Sequence, residues 1–208
     1  MQSNTSQAFG GSLPFILRWE GGFVDDPADH GGRTNRGVTQ NVYHAWRADQ
    51  GLPQQDVQQI NDQEVAAIYF QRYWLPAKCD ELRSKLDLAA FNTAVNMGPN
   101  LAIKILQEAV GSRADGAFGP ATKAACDSCD LGEAMINYCD VREGLYRTFA
   151  QRPGQDSFLK GWLNRLNALR HELGLPGFEG ATEPEPDPAT PAPNIPDLRE
   201  GAPLEAWR

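Results

Sequence analysis

The sequence predicts a mainly α fold of about eight helices with a small β-hairpin or loop region. Apolar residues recur with the period of a helix along most of the 208-residue chain. One stretch, Phe23–Val38, lacks that period and is rich in Asp, Pro, Gly, Asn and Thr, a composition typical of turns. The pattern shows neither strand–helix alternation nor an internal repeat. Because 41% of the residues are hydrophobic and five are Trp, the chain is able to bury a sizeable core.

The first helix is predicted to begin at Ser12, an N-cap followed by Pro14, and to end at Gly21-Gly22. Its apolar side carries Phe15, Ile16 and Trp19. This assignment places Glu20 at a helix C-terminus. The irregular stretch that follows is long for a compact body, and such stretches often carry binding or catalytic groups.

The later helices are recognised by their caps and their apolar faces. Thr39 is a suitable N-cap for the next helix, and Asn61 with Glu64 forms a capping box for the one after it. The most apolar helix, Leu86–Met97, is ended by Gly98-Pro99 and is the predicted central core helix. The helix after Asn61 carries Ile68, Tyr69, Tyr73 and Trp74, and the remaining helices are Leu101–Val110, Ala121–Cys126, Leu131–Phe149 and Phe158–Leu173.

The charge balance limits the class of partner. The formal net charge is −8 and the sequence pI is about 4.9, which argues against a nucleic-acid-binding protein because such proteins need a basic surface for phosphates. No run of roughly 18 apolar residues is present, so no stable membrane insertion is expected. The N-terminus lacks the pattern of a signal peptide. The sequence therefore predicts synthesis in the cytoplasm, with a separate exit route for any work outside it.

The C-terminal segment differs in composition from the rest. Seven of the 15 prolines lie after Gly177, and residues 179–208 carry seven acidic and two basic side chains. Such a segment buries too little apolar surface to offset its ordering entropy. The sequence therefore predicts an N-terminal extension (1–11), a folded body (12–98 and 99–176, packed together) and a Pro-rich acidic disordered tail (177–208).

Four cysteines leave three interpretations. Cys126, Cys129 and Cys139 are close enough in sequence for a zinc site, but Cys79 is distant and the setting is helical. A thioredoxin-type motif needs a preceding strand, and none is predicted. The favoured interpretation is buried thiols and no metal site, with pairing left open.

Polar groups without a helical role cluster in one stretch, residues 20–40. It contains four carboxylates, one His and two Thr among five Gly, which allow close approach of backbone and substrate. The carboxylates are those of Glu20, Asp25, Asp26 and Asp29. Glycoside hydrolysis needs such a pair, one as an acid for the leaving oxygen and one as a carboxylate for water or the sugar.

The two carboxylates of the predicted pair have different surroundings. The helix C-terminus and the neighbouring Trp19 and Phe23 disfavour a charged Glu20, so the sequence predicts that it is protonated and acts as the acid. Asp29 lies on a polar, Gly-rich loop and is expected to stay ionised. Spacing alone does not give the distance between them.

Several motifs resemble those of glycoside hydrolase family 108, a lysozyme-like family of bacterial and phage muramidases. Glu-Gly-Gly at Glu20 is followed by Asp-Pro-Ala-Asp, Gly-Gly, Thr and Gly-Val-Thr. The later sequence resembles the peptidoglycan domain that follows the hydrolase part in these proteins, and together the matches cover about residues 9–174. The later motifs are Tyr73-Trp74-Leu75-Pro76, Cys79-Asp80, Phe91-Asn92, 95–99, Leu106-Gln107, Asp115-Gly116, 119–122 and 161–165.

The resemblance implies a lysozyme-like helical fold with the hairpin at the cleft, a catalytic part at 12–98 and a helical peptidoglycan-domain part at 99–176. It implies cleavage of the β-1,4 bond between N-acetylmuramic acid and N-acetylglucosamine, without a cofactor, with Glu20 as general acid. Asp29 and Thr34 match the partners found in phage lysozymes, although the Asp29–Thr34 spacing is one residue shorter here. The alternatives Asp25, Asp26 and Thr39 therefore stay open as second catalytic groups.

Candidate substrate-binding residues follow from their placement. Asn92 and Asn96 lie four apart on an apolar helix, where an unpaired amide is costly and a sugar N-acetyl group is a natural partner. Tyr73 and Trp74 are candidates for a sugar platform, although their helical spacing fits core packing as well. Arg36, with Arg33, is a candidate for the lactyl and peptide carboxylates of peptidoglycan.

The favoured function is a monomeric muramidase that acts as an endolysin on periplasmic peptidoglycan and depends on a holin or a secretion system for access. A lytic transglycosylase and a chitinase are the alternatives within the enzyme class. A non-catalytic wall-binding module and a secretion-associated wall-remodelling factor are the alternatives outside the endolysin interpretation. The sequence does not decide between inversion and retention, nor the role of the tail.

Overall fold

The structure is a computed structural model that describes residues 2–25 and 32–178. Over these ranges the chain is mainly helical, with eight α-helices and one two-stranded antiparallel sheet, as predicted. The elements in chain order are α1 (Gln2–Leu17), β1 (Thr34–Asn35), β2 (Val38–Thr39), α2 (Gln40–Asp49), α3 (Asp62–Tyr69), α4 (Leu86–Met97), α5 (Pro99–Ala109), α6 (Pro120–Ser128), α7 (Leu131–Ala150) and α8 (Leu159–Leu173). Short 3-10 turns lie at Val57–Gln59, Cys79–Glu81 and Asp156–Phe158. No helix within the described ranges is long and apolar enough to cross a membrane.

Helix α4 is the central core helix, as predicted. It packs against α1, α5, α7 and α8, and nearly all of its residues are buried. Phe91 of α4 is fully buried and meets an aromatic cluster from two other parts of the chain. The rings of Phe9 and Trp74 lie 5.6 and 5.3 Å from that of Phe91, in tilted and edge-on geometry. The core is therefore built around residues from α1, the segment after α3, and α4.

The predicted caps of the inner helices are confirmed. The Thr39 side chain accepts from the Val42 amide at the start of α2, and Asn61 with Glu64 forms the capping box of α3. Gly98 adopts a φ of 86° between α4 and α5, and Pro99 opens α5. Each of these caps depends on residues a few positions apart, so a sequence pattern is sufficient to predict it.

The predicted start of the first helix at Ser12 is wrong. Helix α1 runs from Gln2 to Leu17, so Pro14 lies inside it and the predicted extension (1–11) shares one helix with the segment that follows. A proline inside a helix costs about 3 kcal/mol. Burial of Phe9 before the proline, and of Phe15 and Ile16 after it, holds the helix together on both sides.

The helix that was predicted to carry both tyrosines is interrupted. Helix α3 ends at Tyr69 and continues as one π-helical turn, Phe70–Trp74, closed by a bond from the Leu75 amide to the Phe70 carbonyl (3.0 Å). Single π turns occur often at functional sites because they re-aim side chains. In this turn the Trp74 side chain lies in the core and is fully buried, whereas the Tyr73 side chain is half-buried.

The irregular stretch contains the expected hairpin. Thr34 pairs with Thr39 and Asn35 with Val38, so Arg36 and Gly37 form a two-residue turn. Both have positive φ, 53° and 74°, as a type I′ turn requires. An isolated antiparallel bridge joins Val24 to Thr34 and ties the hairpin to the segment that leaves α1.

Gln107 organises the turn between α5 and α6, which contains the Asp115-Gly116 motif that resembles the peptidoglycan domain. Its side chain, 1% exposed, donates to Asp115 (2.9 Å), to the Ala117 carbonyl (3.1 Å) and to Thr122 (3.1 Å), and it accepts from the Gly116 amide (2.8 Å). Because backbone N–H and C=O groups of the turn depend on one buried amide, the turn has a structural role in joining α5 to α6.

We expect Gln107→Leu to destabilise the protein by about 1–3 kcal/mol, because the Gly116 amide and the Thr122 hydroxyl lose a buried partner. The free energy of unfolding, from urea titration followed by circular dichroism, measures this. Gln151→Leu on the exposed end of α7 is the matched control and should change stability by less than about 0.5 kcal/mol. Equal effects of the two changes would contradict the structural role.

The packed body extends beyond the predicted start of the tail. Arg170 donates to the Pro176 carbonyl (2.8 Å) and lies over the ring of Phe178, whose amide donates to Asn167 (3.0 Å). Gly177 and Phe178 are therefore part of the body. The rest of the predicted tail, residues 179–208, lies outside the described residues.

Candidate active site

Glu20 lies at the junction of four elements. Helix α1 ends at Leu17, and a further turn places the Glu20 amide 3.4 Å from the Leu17 carbonyl. The prediction that Glu20 follows a helix C-terminus is therefore confirmed. Its side chain is only 16% exposed, and it faces the hairpin, the α3 end and α8. A carboxylate in this position is largely shielded from water.

The hairpin tip packs directly on the Glu20 carboxylate. A Cβ atom added to Gly37 would lie 2.8 Å from Oε2 of Glu20 and would overlap the hydroxyl of Tyr69. Tyr69 in turn donates to the Arg36 carbonyl (2.9 Å) and so fixes the turn against α3. Gly37 is thus required twice, for its positive φ and for this close approach.

Two phenols from α3 and the π turn border the same carboxylate. The rings of Tyr69 and Tyr73 lie 5.4 Å apart, and both side chains interact electrostatically with Glu20. Burial raises the pKa of Tyr69 well above its usual value, and burial also raises the pKa of Tyr73. Both groups are therefore neutral hydroxyls at physiological pH, and while Tyr69 donates to the Arg36 carbonyl, Tyr73 is able to donate beside Glu20.

Arg165 of α8 binds Glu20. Its Nη1 lies 2.8 Å from Oε1, and the side chain of Arg165 is 8% exposed. The acid predicted from the sequence therefore has a buried cation as its direct partner. Sequence reasoning gave Arg165 no role. The signal was a charged residue on the apolar face of α8, beside Trp162, Leu166 and Leu169.

The other predicted catalytic residues are placed as follows. The Thr34 hydroxyl donates to the Gly32 carbonyl (3.2 Å), and the Thr39 hydroxyl caps α2. Asp25 is half-exposed and lies 3.6 Å from Arg33. Asp29, together with Asp26, lies outside the described residues. Thr34 and Thr39 therefore have local structural partners, and the structure does not describe the predicted second carboxylate.

The predicted binding residues separate into surface and interior groups. Arg36 lies at the hairpin tip, where its guanidinium pairs with Asp62 (2.5 Å), and Tyr73 lies beside Glu20. Trp74 is fully buried in the aromatic cluster. Asn92 and Asn96 are also buried, 0% and 5% exposed, so α4 does not present their amides at the surface.

Asn92 and Asn96 belong to a buried polar network. Arg142 of α7 donates to the side-chain oxygen of Asn92 (2.6 Å), and Tyr146 donates to that of Asn96 (2.6 Å). The Tyr146 ring stacks on Trp162 of α8, with centroids 5.6 Å apart. The expectation that these amides need a partner was sound, but the partner is internal. The network joins α4, α7 and α8 close to Arg165.

Three of the four cysteines are buried. All four cysteines are free, and Cys79, Cys126 and Cys139 are buried. Burial raises the pKa of Cys126 and of Cys139 to about 11, so neither forms a reactive thiolate near neutral pH. Within the described residues no group of three or more His, Cys, Asp or Glu side chains is placed to hold a metal ion.

Comparison with known proteins gives three findings. A family model described as glycosyl hydrolase 108 matches residues 13–98, and one described as a predicted peptidoglycan domain matches residues 101–167. Eleven chains of solved structures match, among them SagA of Brucella abortus, with 30% identity and a TM-score of 0.67 over 81% of this chain and 94% of that chain. The search of curated proteins found no match.

Proposed function

This chain belongs to the glycosyl hydrolase 108 family and is a peptidoglycan hydrolase, and from that premise we propose that it is an N-acetylmuramidase with Glu20 as its general acid. The proposed bond is the β-1,4 linkage between N-acetylmuramic acid and N-acetylglucosamine. The observation that carries the proposal is the shielded Glu20 carboxylate between the hairpin, two neutral phenols and α8.

The proposed reaction begins with proton transfer. Glu20 in its acid form gives its proton to the oxygen between the two sugars, the bond from that oxygen to C1 of muramic acid breaks, and Glu20 becomes a carboxylate. A water molecule adds to C1 and gives one proton to a carboxylate of the site, and return of a proton to Glu20 restores its acid form. Positive charge develops on the sugar ring during bond breaking, so a second carboxylate is needed to stabilise it or to activate the water.

We propose Asp29 for this second role, as the sequence resemblance implies. Of the alternatives, Thr34 and Thr39 already have hairpin and helix-cap partners, and Asp25 lies beside Arg33. Inverting enzymes hold the two carboxyl groups roughly 6.5–9.5 Å apart and retaining enzymes roughly 5–5.5 Å apart. Whether the product inverts or retains the anomeric configuration therefore distinguishes between these two ranges of distance for the carboxyl groups of Glu20 and Asp29.

The surface around Glu20 supports binding of a glycan with acidic substituents. Tyr73 offers a half-buried ring and a hydroxyl beside the carboxylate, and Arg36 lies at the hairpin tip. Both stay in the proposed binding site, Arg36 for the carboxylates of peptidoglycan. Trp74, Asn92 and Asn96 are left out of it because they are buried in the interior.

Product analysis tests the proposed bond specificity. Purified Gram-negative sacculi are digested, the new ends are reduced with borohydride, and the fragments are identified by mass spectrometry. The proposal predicts reduced N-acetylmuramic acid at the new ends. Reduced N-acetylglucosamine would contradict it in favour of a glucosaminidase, and a 1,6-anhydro end would contradict it in favour of a lytic transglycosylase. Cleavage of chitin oligomers at the same rate would indicate a chitinase.

The biological use of this activity remains a prediction. A role in cell lysis, dependence on a holin or secretion system, and a monomeric state are expected from the sequence resemblance alone. Lysis of cells that produce the protein, with and without a coexpressed holin, tests the first two.

A further inference from the structure

The ion pair between Glu20 and Arg165 joins the two family segments. The residues are 145 positions apart, one just after α1 and the other in α8. The family model for the hydrolase covers Glu20, and the model for the peptidoglycan domain covers Arg165. A module that only binds the cell wall has no need to place a buried side chain on the catalytic carboxylate of its neighbour.

Arg165 has spare hydrogen-bonding capacity. Its Nε and Nη2 atoms are buried and have no hydrogen-bond partner among the described residues, and Glu20 is the one carboxylate paired with it there. A guanidinium that served only to hold the fold together would be expected to use more of its five donors. Arg165 is instead a buried charge directed at a single acceptor, so its charge is balanced only while Glu20 is ionised.

The position of Arg165 is fixed from behind. Trp162, one helical turn before it, stacks on Tyr146, which is hydrogen-bonded to Asn96 of α4. Leu166 and Leu169 are fully buried on the same side of α8. The guanidinium is therefore held at Glu20 by packing with α4 and α7 and not by a flexible surface side chain.

We propose that Arg165 is a positioning residue for the general acid, and that the segment 101–167 is part of the catalytic unit through it. This inference rests on the proposed function of Glu20. Arg165 orients the carboxyl group through Nη1. As Glu20 gives up its proton, the negative charge that develops on it is stabilised by a guanidinium already in place.

Substitution of Arg165 leaves the other neighbours of Glu20 in place. Tyr69 of α3 and Tyr73 of the π turn both interact electrostatically with Glu20. These two groups are common to every variant compared below.

Arg165→Gln removes the charge and keeps a polar side chain of similar reach. We expect KM to stay within about twofold of the wild-type value, because loss of an interaction that acts only in the transition state lowers kcat and kcat/KM equally. We also expect kcat at the optimum to fall about tenfold or more. The substrate is solubilised uncrosslinked peptidoglycan, and initial rates are measured from the release of reducing ends.

Arg170→Gln is the matched control. Arg170 lies on the same helix, is equally buried (8% exposed) and is paired with Asp140 (3.2 Å), but it does not contact Glu20. The control should lose stability without losing kcat per folded molecule. If both variants keep the wild-type kcat, or if both lose it equally, the positioning role is excluded and Arg165 has a structural role only.

Arg165→Lys tests the positioning role of Arg165 if the Gln variant does not fold. It keeps the charge and loses the planar geometry, so kcat should fall in a protein that is still folded. A Lys variant with unchanged kcat would overturn the proposal. Loss of activity in Glu20→Gln together with an unchanged kcat in Arg165→Gln would refute only the role of Arg165 and would leave that of Glu20 intact.

Discussion

Glu20→Gln should lower kcat/KM on peptidoglycan by at least about a hundredfold, the usual scale for loss of a general acid. The amide has nearly the same shape as the acid but has no proton to give to the glycosidic oxygen. Its carbonyl oxygen still accepts from Arg165, so the junction of α1, the hairpin and α8 should stay assembled. Rates on solubilised peptidoglycan, with the melting temperature as a check on folding, measure this effect.

Glu143→Gln is the control for the chemical change itself. Glu143 lies on α7, far from the hairpin in the sequence, and its side chain pairs with that of Arg147 one helical turn away. Its substitution should leave kcat/KM at the wild-type value. A Glu20→Gln protein that keeps more than about a tenth of wild-type activity at its pH optimum would show that another group supplies the proton.

Gly37→Ala should have the second-largest effect. A Cβ at φ +74° costs about 1–2 kcal/mol, and here it would also overlap the Tyr69 hydroxyl and crowd Oε2 of Glu20. The hairpin tip must then move away from α3. Because a displacement of about 1 Å in a reacting group is able to cost a hundredfold, we expect kcat to fall about tenfold or more.

Gly51→Ala separates backbone strain from crowding of the site. Gly51 has a φ of +68°, close to that of Gly37, but a Cβ added there meets no atom within 4 Å. Both variants should lose similar stability, and only Gly37→Ala should lose kcat. The account of the hairpin tip would be wrong if the two variants had the same activity per folded molecule.

Local patterns predicted much of the fold. The bounds of α4, the Thr39 cap, the Asn61–Glu64 capping box and the Gly98-Pro99 stop all depend on residues within a few positions of one another. The start of α1 was missed because it depends on Phe9, which is buried against Phe70, Trp74 and Phe91 from distant parts of the chain. Tertiary packing there overrides the cap signal at Ser12 and the proline.

The candidate site was only partly predictable for the same reason. Glu20 was found from its local context, since a carboxylate followed by Gly-Gly and an irregular stretch has few structural explanations. Arg165 was not, because no spacing rule connects residues 145 positions apart. Asn92 and Asn96 were correctly identified as amides in need of partners, but a single sequence does not show that α7 supplies Arg142 and Tyr146.

The segments before and after Gly98 contribute different groups to the proposed site. In the proposed site, residues before Gly98 supply the acid, the hairpin and the phenols, and α8 supplies the cation that faces the acid. The network of α4, α7 and α8 holds that cation in register. Separating the halves at Gly98 is therefore expected to remove activity, not merely wall affinity.

Hydrolysis in heavy-oxygen water tests the central claim most directly. Sacculi are digested by the wild type and by Glu20→Gln, and the muropeptides are analysed by mass spectrometry. The account predicts that the wild type forms reducing N-acetylmuramic acid carrying one heavy oxygen from water, and that Glu20→Gln forms at least about a hundredfold less of it. An equal yield of the labelled product from both proteins, or an unlabelled anhydro product from the wild type, would contradict it.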